Sequence, residues 1–145
     1  MMRSLFLGVC ACAALVMPAL AGGLDAEVSD AWFRALPSNL PAGGYFTLRN
    51  KGAATLTLTG AASPACGMLM LHKSDESGGM SRMDDVPSLE VPPGGAIAFA
   101  PGGYHLMCMN PSAAMKPGAS VKVTFAFKDG STLAADFTVR NAAGK

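Results

Sequence analysis

Histidine is scarce in this chain of 145 residues: there are only two, His72 and His105. Cysteine is nearly as scarce, with four, of which Cys10 and Cys12 lie inside an apolar N-terminal run. Charged residues make up only 14% of the chain, and the two signs nearly cancel to a formal +1. Without a basic surplus there is little to neutralise a phosphate backbone, so nucleic acid is excluded as a natural partner. Beyond the N-terminal run no apolar stretch is long enough to span a bilayer. No nucleophile–base–acid set is in evidence. Gly94-Gly95 and Gly102-Gly103 read as turns and lack a phosphate-loop pattern. Asp84 and Asp85 are adjacent, so on a strand they face opposite ways and form a solvated edge rather than an acid–base pair. These absences point to a binding protein rather than an enzyme. There is no internal repeat and no low-complexity tail.

The N-terminus opens Met-Met-Arg, is apolar from Leu5 to Leu20 and reaches Ala19-Leu20-Ala21. A charged start, an apolar run and a small-x-small site are the marks of a secretory signal peptide, residues 1–21, cleaved after Ala21. The run is short for a membrane anchor and contains Pro18. Cys10 and Cys12 sit too early in it for a lipoprotein processing site. The mature chain, residues 22–145, then has the length of one domain. It keeps ten Lys plus Arg against ten Asp plus Glu. Only Cys66 and Cys108 remain, and in an oxidising compartment they form either a disulfide or two buried thiols; geometry decides which.

The mature chain reads as strands throughout. Tyr45, Thr47 and Arg49 alternate with Phe46 and Leu48, and Thr55, Thr57 and Thr59 with Leu56 and Leu58. Near the C-terminus Val121, Val123, Phe125 and Phe127 alternate with smaller or polar residues, as do Leu133, Ala135, Phe137 and Val139, with Asp129-Gly130 between the two runs. Period-two alternation around Asp-Gly is a hairpin signature. Trp32 reads as core or rim packing, and Met115 as a buried residue under a long connection. No amphipathic helix is evident. Many short strands with Pro/Gly turns predict an all-β antiparallel sandwich or barrel.

Methionine is what the chain has instead. Six of its ten methionines (Met68, Met70, Met80, Met83, Met107, Met109) fall between positions 68 and 109, the same stretch that holds both histidines. A methionine usually fills a gap in a core. Strand parity argues otherwise here, because residues two apart share a face. His105, Met107 and Met109 point one way, and Tyr104, Leu106 and Cys108 the other. Met68, Met70 and His72 share a face, with Leu69 and Leu71 opposite. The leucines take the core, which leaves His and Met on the more exposed face. Neutral thioether and imidazole suit Cu(I) far better than Mg, Ca or Mn, which prefer oxygen.

Ten residues separate His72 from Met83, twenty-one separate Met83 from His105, and one separates His105 from Met107. This His-x10-Met-x21-His-x-Met spacing resembles the PCu(A)C family (formerly DUF461) of periplasmic copper chaperones. The resemblance extends through Asp30-Ala-Trp-Phe-Arg, Ala42-Gly-Gly-Tyr-Phe-Thr-Leu-Arg-Asn, Ser63-Pro-Ala, Pro101-Gly-Gly-Tyr-His-Leu-Met and Lys116-Pro-Gly. It implies a cupredoxin-like fold, a periplasmic location and a ligand set of His72, Met83, His105 and Met107 for Cu(I). It also implies delivery to a copper-accepting protein, cytochrome c oxidase subunit II or another assembly factor on the way to the CuA centre. The chain departs from the family pattern at Lys73, where an acidic residue usually follows the first histidine. It departs again at Cys66 and Cys108, which stand where relatives look like Ala and Leu.

Three other readings use the same residues. A tetrahedral zinc site could draw on Cys66, His72, His105 and Cys108. A blue-copper site would need two His and a Cys with an axial Met, but here Cys108 follows Met107 and faces the other way. A metal-free secreted sandwich leaves the clustering of His and Met without a cause.

Overall fold

The computed structural model describes residues 23–145; the signal-peptide reading of residues 1–21 lies outside the described residues. Ten strands succeed one another along the chain: β1 (Ala26–Arg34), β2 (Ala42–Asn50), β3 (Leu56–Ala62), β4 (Cys66–Asp75), β5 (Arg82–Asp85), β6 (Leu89–Val91), β7 (Ala96–Phe99), β8 (Tyr104–Pro111), β9 (Ser120–Phe127) and β10 (Thr132–Arg140). A single 3-10 turn, Ser77–Gly79, is the only helical element among the described residues. The all-β expectation therefore holds.

The strands form one continuous sheet in the order β5-β4-β8-β2-β1-β10-β9-β3-β6, with β7 added on β2. One pairing departs from the antiparallel expectation: β1 runs parallel to β10, with Trp32 opposite Thr138 and Arg34 opposite Arg140. Alternation along single strands reports which face is buried and carries no information on the direction of a neighbour, so this pairing left no mark in the sequence. The change of parity in the first strand does have a local cause. The register against β2 shifts between Ser29 and Trp32, where Asp30 takes a positive φ of 52°. An extra residue in a bulge swaps the faces beyond it, so Phe33 reaches the core although Ala26 and Val28 have the other parity.

The core is aromatic at its centre. Phe46 lies 4.3 Å from Phe99 and 4.9 Å from Phe125 between ring centroids, and Phe33 lies 5.1 Å from Phe137. Each such side chain contributes about 1.5–3 kcal/mol on leaving water. Met115 is buried as expected. Asn50 is also buried, a role its place in a turn signal did not reveal. Its Nδ2 donates to the carbonyls of Ala54 and Val91 at 2.7 and 3.0 Å, and its Oδ1 accepts from the Gly52 N–H at 2.9 Å. A buried amide so fully bonded ties the β2–β3 turn to β6 at little cost.

Three features of the fold set the positions of the histidines and their neighbours. The strand bearing His72 continues three residues past it to Asp75. The edge of β2 is shared in succession: Ala42, Gly43 and Gly44 pair with β8, and Phe46 to Arg49 pair with β7. The link between β7 and β8 is a tight turn in which the Gly103 N–H donates to the Ala100 carbonyl at 3.0 Å and Gly102 adopts φ +85°. Pro101 followed by a positive-φ glycine is the sequence such a turn requires.

Candidate metal centre

β4 and β8 are antiparallel, and their register pairs like with like. His72 is opposite His105, Met70 opposite Met107 and Met68 opposite Met109, while Leu71 faces Leu106 and Leu69 faces Cys108. Leucine and Cys108 are buried on the inner face, as parity predicted. On the outer face the histidine and methionine residues stack in three successive rungs. β5 extends this face at one end, since Asp85 is opposite His72 and Met83 is opposite Ser74. Met83 is thus one rung beyond the histidines and Met107 one rung before them, roughly 6.7 Å per rung along the strands.

The two imidazoles lie edge to face, 5.7 Å apart at their centroids and 81° from coplanar. His105 is only 5% exposed, although it was expected on the more open face. The Pro101-Gly102 turn and the side chains of Arg34 and Tyr45 rise around it. With Met83 and Met107 they line an open cleft of about 450 Å³ that also holds His105. His72 does not line this cleft; it stands behind His105 on the β4 side.

The hydrogen bonding of His105 fixes its tautomer. Its Nδ1 lies 3.2 Å from the Gly103 carbonyl oxygen. A carbonyl only accepts, so Nδ1 carries the proton and Nε2 keeps its lone pair. The same carbonyl accepts the Ser74 N–H at 3.1 Å, which locks turn, strand and ring together. Nε2 is buried with no hydrogen-bond partner. Burial lowers the pKa of His105 from the usual 6.5; the Gly103 hydrogen bond opposes this and the neighbouring His72 adds to it. A neutral, oriented, unpartnered imidazole nitrogen is what a soft metal ion needs. Both nitrogens of His72 are likewise buried without a hydrogen bond. Asp85 Oδ1 comes within 2.8 Å of His72 Nε2, but the contact is not aligned as a hydrogen bond, and the carboxylate is largely exposed. Asp85, read as a solvated edge, is therefore both solvated and in contact with an imidazole. Asp84 instead faces Arg82 at 3.5 Å.

Cys66 and Cys108 are joined in a disulfide. Both the zinc reading and the blue-copper reading needed a free thiolate here, and neither survives. Among the described residues no group of three His, Cys, Asp or Glu side chains could hold a metal ion. Trp32 is at the rim, 4.9 Å from Tyr45, with the Arg140 guanidinium 4.6 Å above its ring. Sequence reasoning missed Arg34, Tyr45 and Gly43 as cleft residues. The only signal for them was that Arg34, Tyr45 and, across β2, Gly43 share the outward parity of their strands.

The model of the family described as "Putative lipoprotein LpqE-like" matches residues 26–139. A curated relative, "Putative lipoprotein Lxx21020" of Leifsonia xyli subsp. xyli (strain CTCB07), is 34% identical over 119 residues, covering 81% of this chain and 71% of that protein. The solution structure of apo-DR1885 from Deinococcus radiodurans is 33% identical and covers 97% of this chain and 94% of its own, with a TM-score of 0.62. Its Cu(I) form is 34% identical over 78% of this chain and 76% of its own, with a TM-score of 0.63. The copper-bound PCuAC domain of PmoF2 superimposes with a TM-score of 0.67 over 81% of this chain and 93% of its own; at 20% identity it speaks for the fold alone.

Proposed function

The chain belongs to the LpqE-like family, which is of the PCu(A)C type, and from that premise we propose that it is a copper carrier working outside the cytoplasm, in the periplasm after removal of residues 1–21. His72, Met83, His105 and Met107 hold Cu(I), and the ion leaves by ligand exchange to a copper-accepting protein. The observation that carries this reading is the buried, unpartnered Nε2 of His105, oriented by Gly103 and set in a cleft with Met83 and Met107. The Cu(I) form of DR1885, a relative at 34% identity, supports Cu(I) as the cargo. A set of two imidazoles and two thioethers carries no charge, which favours Cu(I) over Cu(II), since the latter prefers tetragonal nitrogen and oxygen donors.

Exposure supports transfer. Met83 is 57% exposed whereas His105 is 5% exposed, so an incoming ligand can replace the outer thioether first while the inner imidazole still holds the ion. The recipient is inferred from the family resemblance: the CuA centre of cytochrome c oxidase subunit II, or a factor that assembles it. The disulfide and the lipoprotein description of the relatives support an extracytoplasmic location. The test is anaerobic competition for Cu(I) against a chromophoric chelator, with wild type beside the double variant Met83→Ala, Met107→Ala. One tight equivalent that the double variant lacks is expected. No tight binding by wild type refutes the proposal.

A further inference from the structure

The four proposed ligands leave part of the outer face of β4 and β8 unused. Met70 is opposite Met107, and the next rung pairs Met68 with Met109. Met68 is 57% exposed, and Met70 and Met109 are half-buried. Core filling does not explain these residues, because the inner face of the same rungs is already closed by Leu69, Leu71, Leu106 and Cys108. Side chains directly opposite on antiparallel strands have Cβ atoms about 4.5–5.5 Å apart. Methionine has three rotatable bonds and a polarisable sulfur, so sulfurs from one rung and its diagonal neighbour can converge on one ion.

We infer that Met68, Met70 and Met109 form a second soft-metal site, made of thioethers alone, that takes Cu(I) or its filled-shell analogue Ag(I). Such ions accept few, soft, neutral donors. No imidazole or carboxylate is needed, and a divalent oxygen-seeking ion has nothing there to bind. The site adjoins the first, since Met70 and Met107 share a rung. Exposure falls along the row, from Met68 at 57% to His105 at 5%. An ion caught at Met68 and Met109 can therefore pass through Met70 and Met107 to the histidines without a bare step. This use as a relay rests on the proposed Cu(I) carrier function; the second site itself does not.

The test is an anaerobic Ag(I) titration of the mature chain carrying ¹³C-methyl methionine, monitored by NMR and by native mass spectrometry. Wild type, Met68→Leu paired with Met109→Leu, and Met83→Leu paired with Met107→Leu are compared; leucine keeps the volume and removes the sulfur. Wild type should take a tight equivalent that moves the Met83 and Met107 methyl signals, then a weaker one that moves Met68, Met70 and Met109. The Met68/Met109 variant should lose only the weaker equivalent, and the Met83/Met107 variant only the tight one. A wild type that stops at one equivalent with the Met68 and Met109 signals unmoved overturns the inference. So does loss of all binding in the Met83/Met107 variant. A wild type that lacks the tight equivalent but retains the weaker one would instead refute the carrier function and leave the thioether site standing.

Discussion

Gly43 is registered directly opposite Met107 where β2 meets β8, so the floor of the cleft beside that thioether carries no side chain. A Cβ at position 43 would meet Tyr45 Oη at 2.7 Å, on the outer face. Its neighbour Gly44 faces inward, where a Cβ would come within 2.6 Å of Phe33 Cε1 and 3.0 Å of Leu106 Cβ. Adjacent glycines therefore serve opposite faces of one strand.

Gly43→Val is expected to weaken Cu(I) binding at least tenfold by filling the cleft and displacing Tyr45, with little change in the urea midpoint. Gly44→Ala should do the reverse, costing about 1–3 kcal/mol of stability by overpacking the core while leaving the Cu(I) affinity of the folded protein intact. Chelator competition and urea unfolding on both variants check this, and equal effects at the two positions would refute the division of faces.

Met107→Leu preserves volume at a half-buried position, so the stability change should stay under about 1.5 kcal/mol. Cu(I) affinity should fall by at least the roughly 100-fold that loss of an outer-shell partner can cost. Met70→Leu, on the same rung, should leave the tight equivalent within a few-fold of wild type. Equal losses would mean that the wrong member of the rung has been chosen.

The depressed pKa of His105 has two consequences with the same sign. The unfolded chain binds this proton at higher pH than the folded chain does. Stability from the neutral buried ring is complete above the ordinary 6.5 and is lost as pH falls through the lower folded value. The urea midpoint should decline below about pH 6.5, and His105→Gln should flatten that decline relative to wild type. Protons also compete with the cargo for Nε2, so Cu(I) affinity should fail at a more acidic pH than an exposed imidazole would allow. A pH profile identical in the variant would refute the assignment to His105.

The Cys66–Cys108 disulfide spans 42 residues, a closure worth about 4 kcal/mol in the chain-entropy account. The double variant Cys66→Ala, Cys108→Ala should melt roughly 10–20 °C lower. It should still take up one equivalent of Cu(I) at temperatures where it is folded. Loss of metal binding in the folded variant would return sulfur from cysteine to the site.

Much of the fold was legible because period-two alternation is written residue by residue. The Val121–Phe127 and Leu133–Val139 runs, the Asp129-Gly130 turn and the Pro101-Gly102-Gly103 turn could all be read this way. The opposed faces of Leu71 and His72 came from the same rule. Other features depend on partners distant in the chain. The parallel match of β1 with β10 and the burial of His105 under the Pro101 turn left no local trace. Nor did the Gly103 carbonyl that selects its tautomer or the Arg34–Tyr45 wall of the cleft.

By itself, the sequence determined which chemistry was available: two imidazoles and six clustered thioethers, with few charges to compete, mounted on strands whose parity keeps leucine inward. Tertiary structure alone decided how those groups meet. Pairing β4 with β8 in one register, and no other, sets His72 opposite His105 and Met70 opposite Met107. A slip of one residue would have turned every donor into the core, because side-chain direction reverses at each step along a strand.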